Sequence, residues 1–201
     1  MSVFPLLPGT KRPAVQRDWE GCATTDVEQI ERWWHQAPYN IALATGPSRL
    51  VVVDLDAPHG PEGDVHGRQV LADLARKAGA EIPRETFTVA TPRGWHLYFR
   101  APEGLTLTNT VGRLGPQIDT RAVGGYVVGP GSRVGGRFYK VVTAVEPAPL
   151  PDLLVAMLRP VVPLPRSAPA IAHPRYVDAA VRAEARLVAA AVPGERNAVL
   201  F

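Results

Sequence analysis

Residues 50–56 read LVVVDLD. Val51, Val52 and Val53 predict a covered strand, because β-branched side chains fit a pleated, buried surface. Side chains alternate along a strand, so Asp54 and Asp56 project to one side of it. Two adjacent carboxylates repel each other and are costly to bury unpaired. A divalent cation removes that repulsion, and an oxygen-rich pair suits magnesium or manganese. The plainer alternative is a strand running out into solvent, with the acids as its polar end.

Two later stretches bear on the choice. Residues 85–102, ETFTVATPRGWHLYFRAP, predict strands over 86–90 and 95–99, joined by a turn at Pro92, Arg93 and Gly94. On the second strand His96, Tyr98 and Arg100 share one face. Trp95, Leu97 and Phe99 share the other, which is expected to be core. Residues 115–132, GPQIDTRAVGGYVVGPGS, place Gln117, Asp119 and Arg121 on one face of a short strand. Gly124 and Gly125 then turn the chain into a further strand at Tyr126. The acid–arginine pair reads equally as a surface ion pair, and the two glycines as a hairpin turn. Glycines here would also let the backbone approach a phosphate or sugar closely.

Taken in order, DxD, a histidine after a turn, and Asp-x-Arg followed by GGYVV-x-P-x-S resemble the archaeo-eukaryotic primase superfamily. More narrowly they resemble the bifunctional DNA primase/polymerase (prim-pol) domains of bacteria, plasmids and phages. The opening stretch is similar too, with its G-x-K-x-P, its tryptophan pair and an N-I-x-x-x-x-G lead into the acidic strand. The similarity spans about residues 4–160. One departure stands out: members often carry two glycines shortly before the histidine, whereas this turn reads T-P-R-G-W-H, with bulky Arg93 and Trp95.

The resemblance implies an α/β fold, a mixed and mostly antiparallel sheet with flanking helices. It implies that Asp54, Asp56 and Asp119 hold Mg²⁺ or Mn²⁺, and that His96 contacts the triphosphate and balances its charge. Arg121 would add a phosphate or template contact. Gly124, Gly125 and Tyr126 would line the sugar and base, with Ser132 close to them. The activity implied is nucleotidyl transfer from (d)NTPs to make or extend primers on a single-stranded DNA template. Another metal-dependent phosphoryl-transfer enzyme, such as a phosphohydrolase, and a non-catalytic nucleic-acid-binding module are the alternatives. Lys11 and Arg12, basic and near a turn, are candidates to touch phosphate but read more simply as solvated surface.

Composition fits these expectations. The 201 residues can bury a sizeable core. Net charge is +3, which permits nucleic-acid binding without demanding it. Most of the positive charge is arginine, whose planar fork suits phosphate, and Lys11, Lys77 and Lys140 are the only lysines. Cys22 is the sole cysteine, so neither an intrachain disulfide nor a cysteine-rich zinc site is possible. No signal-peptide pattern opens the chain, and no apolar run would span a membrane. These features point to the cytoplasm.

Along the chain, Thr25 and Glu28 suggest a capping box before a helix with Val27, Ile30 and Trp34 as its apolar stripe. His59, Asp64 and His66 fall in a Gly/Pro-bearing loop and read as loop residues. A helix is expected over 69–77 with Gly79 as its stop. RFYKVVT is the last clear strand, and residues 152–159 predict a short closing helix. The expected organisation is a catalytic domain over 1–163, a Pro-rich linker over 164–174 and a helical segment over 175–201. That segment reads as the start of a further region, with a helicase or helical region of a longer chain as a candidate partner.

Overall fold

The acidic strand lies inside the larger of two main sheets, paired on both edges. In the computed structural model, which describes residues 1–15, 18–58, 65–83, 85–160 and Arg182, the strands run as follows. They are β1 (Val3–Leu6), β2 (Asn40–Ala44), β3 (Leu50–Asp56), β4 (Thr88–Ala90), β5 (Gly94–Arg100), β6 (Thr110–Val111), β7 (Ile118–Arg121), β8 (Tyr126–Val128), β9 (Arg133–Val134), β10 (Arg137–Phe138), β11 (Lys140–Thr143) and β12 (Ala148–Pro149). The helices are α1 (Trp19–Cys22), α2 (Val27–Gln36), α3 (Gly67–Ala78) and α4 (Asp152–Leu158).

The large sheet has the order β11-β4-β5-β3-β7-β6, and β12 adds to β5 as its one parallel pair. A smaller antiparallel sheet has the order β1-β2-β8. Pro5 is tolerated in β1 because that strand is an edge. The fold is thus α/β with mostly antiparallel pairing, as the family resemblance implied.

Two cores explain the run of valines. Leu50 and Val52 face one way and pack with Phe4, Leu6 and Leu43 of the small sheet. Val51, Val53 and Leu55 face the other way and pack with Leu71 of α3 and Leu154 and Leu158 of α4. β3 is therefore apolar at consecutive positions because both its faces are covered. Asp54 and Asp56 share the side of Val52, which puts them between the two sheets.

Several expectations shift. The cap of α2 is Asp26, whose side chain accepts from Glu28 N, while Thr24 Oγ1 accepts from Asp26 N. Thr25 is not the cap, and Val27 is exposed; Trp33 is the residue of α2 that packs on the core. On β5 the face of His96 and Tyr98 is the buried one, since the small sheet covers it, whereas Trp95 and Leu97 are only half-buried. Phe99 is core, as expected. The Gly124–Gly125 turn closes no hairpin, because β7 and β8 belong to different sheets. RFYKVVT divides into β10, paired with β9, and β11, paired with β4. α3 meets its expected stop at Gly79, at φ 62°, and α4 forms over the predicted residues. Met1–Pro160 make one compact unit. The linker over 164–174, the helical segment over 175–201, His59 and Asp64 lie outside the described residues; His66 is the N-cap of α3.

Gly94 sets the spacing at the end of β3. It stands opposite Asp56, and a Cβ there would strike the Leu55 carbonyl. Gly94→Ala is therefore expected to cost about 1–3 kcal/mol, the usual range for overpacking. The readout is a lowered urea midpoint, and an unchanged midpoint would show that the two strands can part there.

Candidate active site

The register of three strands assembles the site. Asp54 on β3 stands opposite His96 on β5 and opposite Asp119 on β7. Residues directly opposite in antiparallel pairs point to the same side, so the three side chains share one face. Asp56 is two residues further along that face, opposite Gly94.

His96 Nε2 lies 3.5 Å from Asp54 Oδ1. Burial, and then the adjacent charge of Asp56, push the Asp54 carboxyl up to about 7. Lys11 and Arg121 pull it down and Asp119 adds to the repulsion. His96 is 5% exposed, packed beside the rings of Tyr98 and Tyr139. Burial, assisted by Lys11 and Arg121, drives its pKa down to about 3. The imidazole is thus neutral near pH 7. Charge balance, one role expected of it, is not available in the nucleotide-free protein; hydrogen bonding is. Its Nδ1 and the Tyr98 hydroxyl are buried with no hydrogen-bond partner among the described residues.

Asp119 is held by two donors. Gly112 N donates to Oδ1 and Arg121 Nη2 to Oδ2, each at 3.2 Å. Among the described residues no three His, Cys, Asp or Glu side chains are gathered closely enough to hold a metal ion. The physical reason is visible in these contacts: Asp119 is bound to its neighbours, and Asp56 is one pleat beyond Asp54. The donor set still suits a hard divalent cation. It offers carboxylate oxygens on one face, and the Asp54 pKa, raised first by burial and then by Asp56, marks a charge that a bound cation would stabilise.

Asp54, His96 and Arg121 line a cavity of about 420 Å³ between the two sheets. Lys11, Trp19, Gly124, Gly125 and Tyr126 form the small-sheet side, and Asn109 and Tyr139 also reach it. The Gly124–Gly125 turn is braced from several directions. Asn109 Nδ2 donates to Gly124 O and its Oδ1 accepts from Ala122 N, both at 2.9 Å. The Thr45 hydroxyl sits 2.5 Å and 2.7 Å from the carbonyl oxygens of Ala122 and Gly125. Gly124 adopts φ 75°, and any side chain on Gly125 would strike Asn109, so both positions require glycine. Tyr126 donates to Lys11 O at 3.1 Å and packs against Trp19, which joins the lysine's loop to the turn.

Of the residues expected at the site, Asp54, His96, Arg121, Gly124, Gly125 and Tyr126 meet at this cavity. Asp119 pairs with Asp54 in the sheet. Asp56 lines a neighbouring cavity instead. Ser132 is not brought here: it is buried, and its Oγ accepts from Ile41 N at 2.8 Å. Lys11 and Arg12 are both exposed, as expected, and Lys11 also lines the cavity. Trp19, Asn109 and Tyr139 were not anticipated. The G-x-K-x-P stretch was the available signal for Lys11; nothing local in the sequence marks the other three.

The family model for the bifunctional DNA primase/polymerase N-terminal domain (Prim-Pol) matches residues 1–153. The chain belongs to this family. No curated protein matches it. The matched span takes in the whole of both main sheets of this prim-pol domain and every candidate site residue. Among the described residues, no helix of the prim-pol chain is long and apolar enough to cross a membrane.

His96 yields a sharp expectation. His96→Ala should weaken nucleotide binding by on the order of tenfold, the worth of one hydrogen bond to a charged group. Because the ring is buried, the same change should also cost about 1–3 kcal/mol of stability through the cavity it leaves. His96→Gln restores much of the volume and a donor. If nucleotide affinity survives in both variants and only stability falls, His96 is structural.

Proposed function

We propose that this prim-pol domain joins nucleotides by attack of a primer 3′-hydroxyl on the α-phosphate of a nucleoside triphosphate, directed by a single-stranded DNA template. The observation that carries this reading is the in-register trio of Asp54, His96 and Asp119, of which Asp54 and His96 line a cavity that also holds Lys11 and Arg121. Asp54, Asp56 and Asp119 would hold Mg²⁺ or Mn²⁺. Such ions, when bound, stabilise the attacking and leaving oxygens of the displacement.

The chain's own residues supply the rest. The Lys11 ammonium and the Arg121 guanidinium neutralise the phosphates, Arg121 exchanging part of its hold on Asp119 for the nucleotide. His96, neutral and buried, donates a hydrogen bond to a phosphate oxygen and stays aligned by its two tyrosine neighbours. Gly124 and Gly125 bring backbone close to the sugar, and Tyr126 with Trp19 gives an aromatic surface for the base. Ser132 acts at one remove by fixing Ile41 of β2.

Incubation with a primed template, nucleotides and manganese tests the proposal. Growth of the primer supports it. Phosphate release without growth would favour a phosphohydrolase, and binding alone a non-catalytic module. Affinity for single-stranded DNA is also expected to fall steeply between about 50 and 200 mM salt, because basic groups release condensed counterions. It should vary little with template sequence. A salt-insensitive affinity would argue against template binding by this domain.

A further inference from the structure

The N-I-x-x-x-x-G lead into the acidic strand runs from Asn40 to Gly46, which is β2 and the first residues after it. Its far end holds the glycine turn of the cavity. The Thr45 hydroxyl reaches Ala122 O and Gly125 O. Gly46 leaves room for Glu20, whose carboxylate accepts from Gly124 N at 3.2 Å. The near end of the motif is Asn40, which does not line the cavity.

Asn40 is buried, and both ends of its amide are engaged. Nδ2 donates to Thr10 O and to Arg133 O, and Oδ1 accepts from Arg133 N, each at 2.9 Å. Two carbonyls on one side and an N–H on the other allow only this orientation of the amide. The bond to Thr10 matters for the residue that follows it. Thr10 O belongs to the peptide plane before the Lys11 Cα. Lys11 O, which accepts from the Tyr126 hydroxyl at 3.1 Å, belongs to the plane after it. A peptide unit is rigid, so a residue held at the planes on both sides has its φ and ψ set. The direction of its Cα–Cβ bond is then set as well.

Bonds from Leu7 N to Arg12 O and from Arg12 N to the Thr10 hydroxyl shape this loop from within. Asn40 and Tyr126 fasten it to β2 and β8. The Lys11 side chain is exposed, lines the cavity and makes no ion pair among the described residues. Its aim depends on the backbone it starts from. A fixed root also lowers the entropy lost when a long, flexible stem is ordered on a ligand. We infer that Asn40 is a positioning residue for the nucleotide: it sets the backbone from which Lys11 reaches the phosphates. The assignment rests on the nucleotidyl-transfer reading above and adds what directs one of its cations.

The test is a double-mutant cycle on the full 201-residue chain, read as affinity for a nucleoside triphosphate with Ca²⁺. Lys11→Ala should weaken binding by on the order of tenfold, the worth of one charged contact. Asn40→Ala should weaken it by roughly three- to tenfold, the worth of ordering one long side chain. The double variant should bind no worse than Lys11→Ala, because no ammonium is left to position. Asn40 also holds Arg133, so lost stability does not decide the matter; the coupling does. Where Asn40→Ala does not fold, Asn40→Ser takes its place in the cycle. Equal losses from the Asn40 change with and without Lys11 would overturn the assignment, since independent effects add. So would an unchanged affinity in the Asn40 variant. A second readout needs no nucleotide. The chain has three lysines, so reductive ¹³C-methylation gives a resolvable set of signals. In the Asn40 variant the Lys11 signal should move while those of Lys77 and Lys140 stay. A Lys11 signal that stays, or three that move alike, would overturn the proposal. A wild-type chain that binds no nucleoside triphosphate would overturn the nucleotidyl-transfer reading and this assignment with it.

Discussion

Asp54→Asn should reduce primer extension by on the order of 10³-fold or more, because an ion supplies several kcal/mol of charge stabilisation to the displacement and loses a charged ligand here. Asp54 is the centre of the trio, opposite His96 on one side and Asp119 on the other. Asparagine keeps the shape and removes the charge. Since burial and Asp56 disfavour the ionised carboxylate, its neutral isostere should leave melting at pH 8 unchanged or slightly higher without metal. Steady-state incorporation and thermal unfolding on the same preparation check both halves. Substantial extension by a well-folded Asp54→Asn protein would remove Asp54 from the chemistry.

The second large effect is a pH dependence of metal affinity. The folded-state pKa of Asp54 is raised to about 7, so an ion must displace a proton below that pH. Affinity should then fall by up to about tenfold per pH unit below about 7 and be flat above it. Titrating manganese into the protein at pH 6 in weak buffer should release about one proton from this carboxyl, and at pH 8 almost none. No release at pH 6, with manganese bound, would contradict the raised pKa.

Stability responds differently. A carboxyl whose pKa is raised contributes stability that is fully present below its unfolded value of 3.8 and lost as pH rises through about 7. His96 has the opposite sign. Its pKa is depressed from 6.5 to about 3, so its contribution is present above 6.5 and lost as pH falls toward 3. Between about pH 4 and 6.5 the native pair holds one proton, on Asp54, and the unfolded pair holds one, on the histidine. Within that window the pair adds no slope to the metal-free stability curve.

Much of this was legible locally. The valine run, the alternation that pairs Asp54 with Asp56, the Gly79 stop of α3 and the turn before β5 are short-range features governed by backbone sterics and periodicity. The cap of α2 falls one residue later than expected because Thr24, Thr25 and Asp26 are all competent caps, and it is the Asp26 carboxylate that accepts from Glu28 N. The juxtaposition of Asp54, His96 and Asp119 depends on strand register, which periodicity does not fix; motif resemblance supplied it. Lys11, Trp19, Asn109 and Tyr139 reach the cavity only because the small sheet packs on the large one. Ser132 shows the converse: a residue inside a motif that serves the packing of β2.

Anomalous diffraction from crystals grown with manganese and a non-hydrolysable nucleoside triphosphate tests the central claim most directly. The account predicts manganese bound by Asp54 and Asp56, with Asp119 turned toward the ion and the triphosphate against Lys11, His96 and Arg121. A nucleotide bound with manganese but away from Asp54, or an Asp119 still held by Gly112 and Arg121 with no ion beside it, would contradict it.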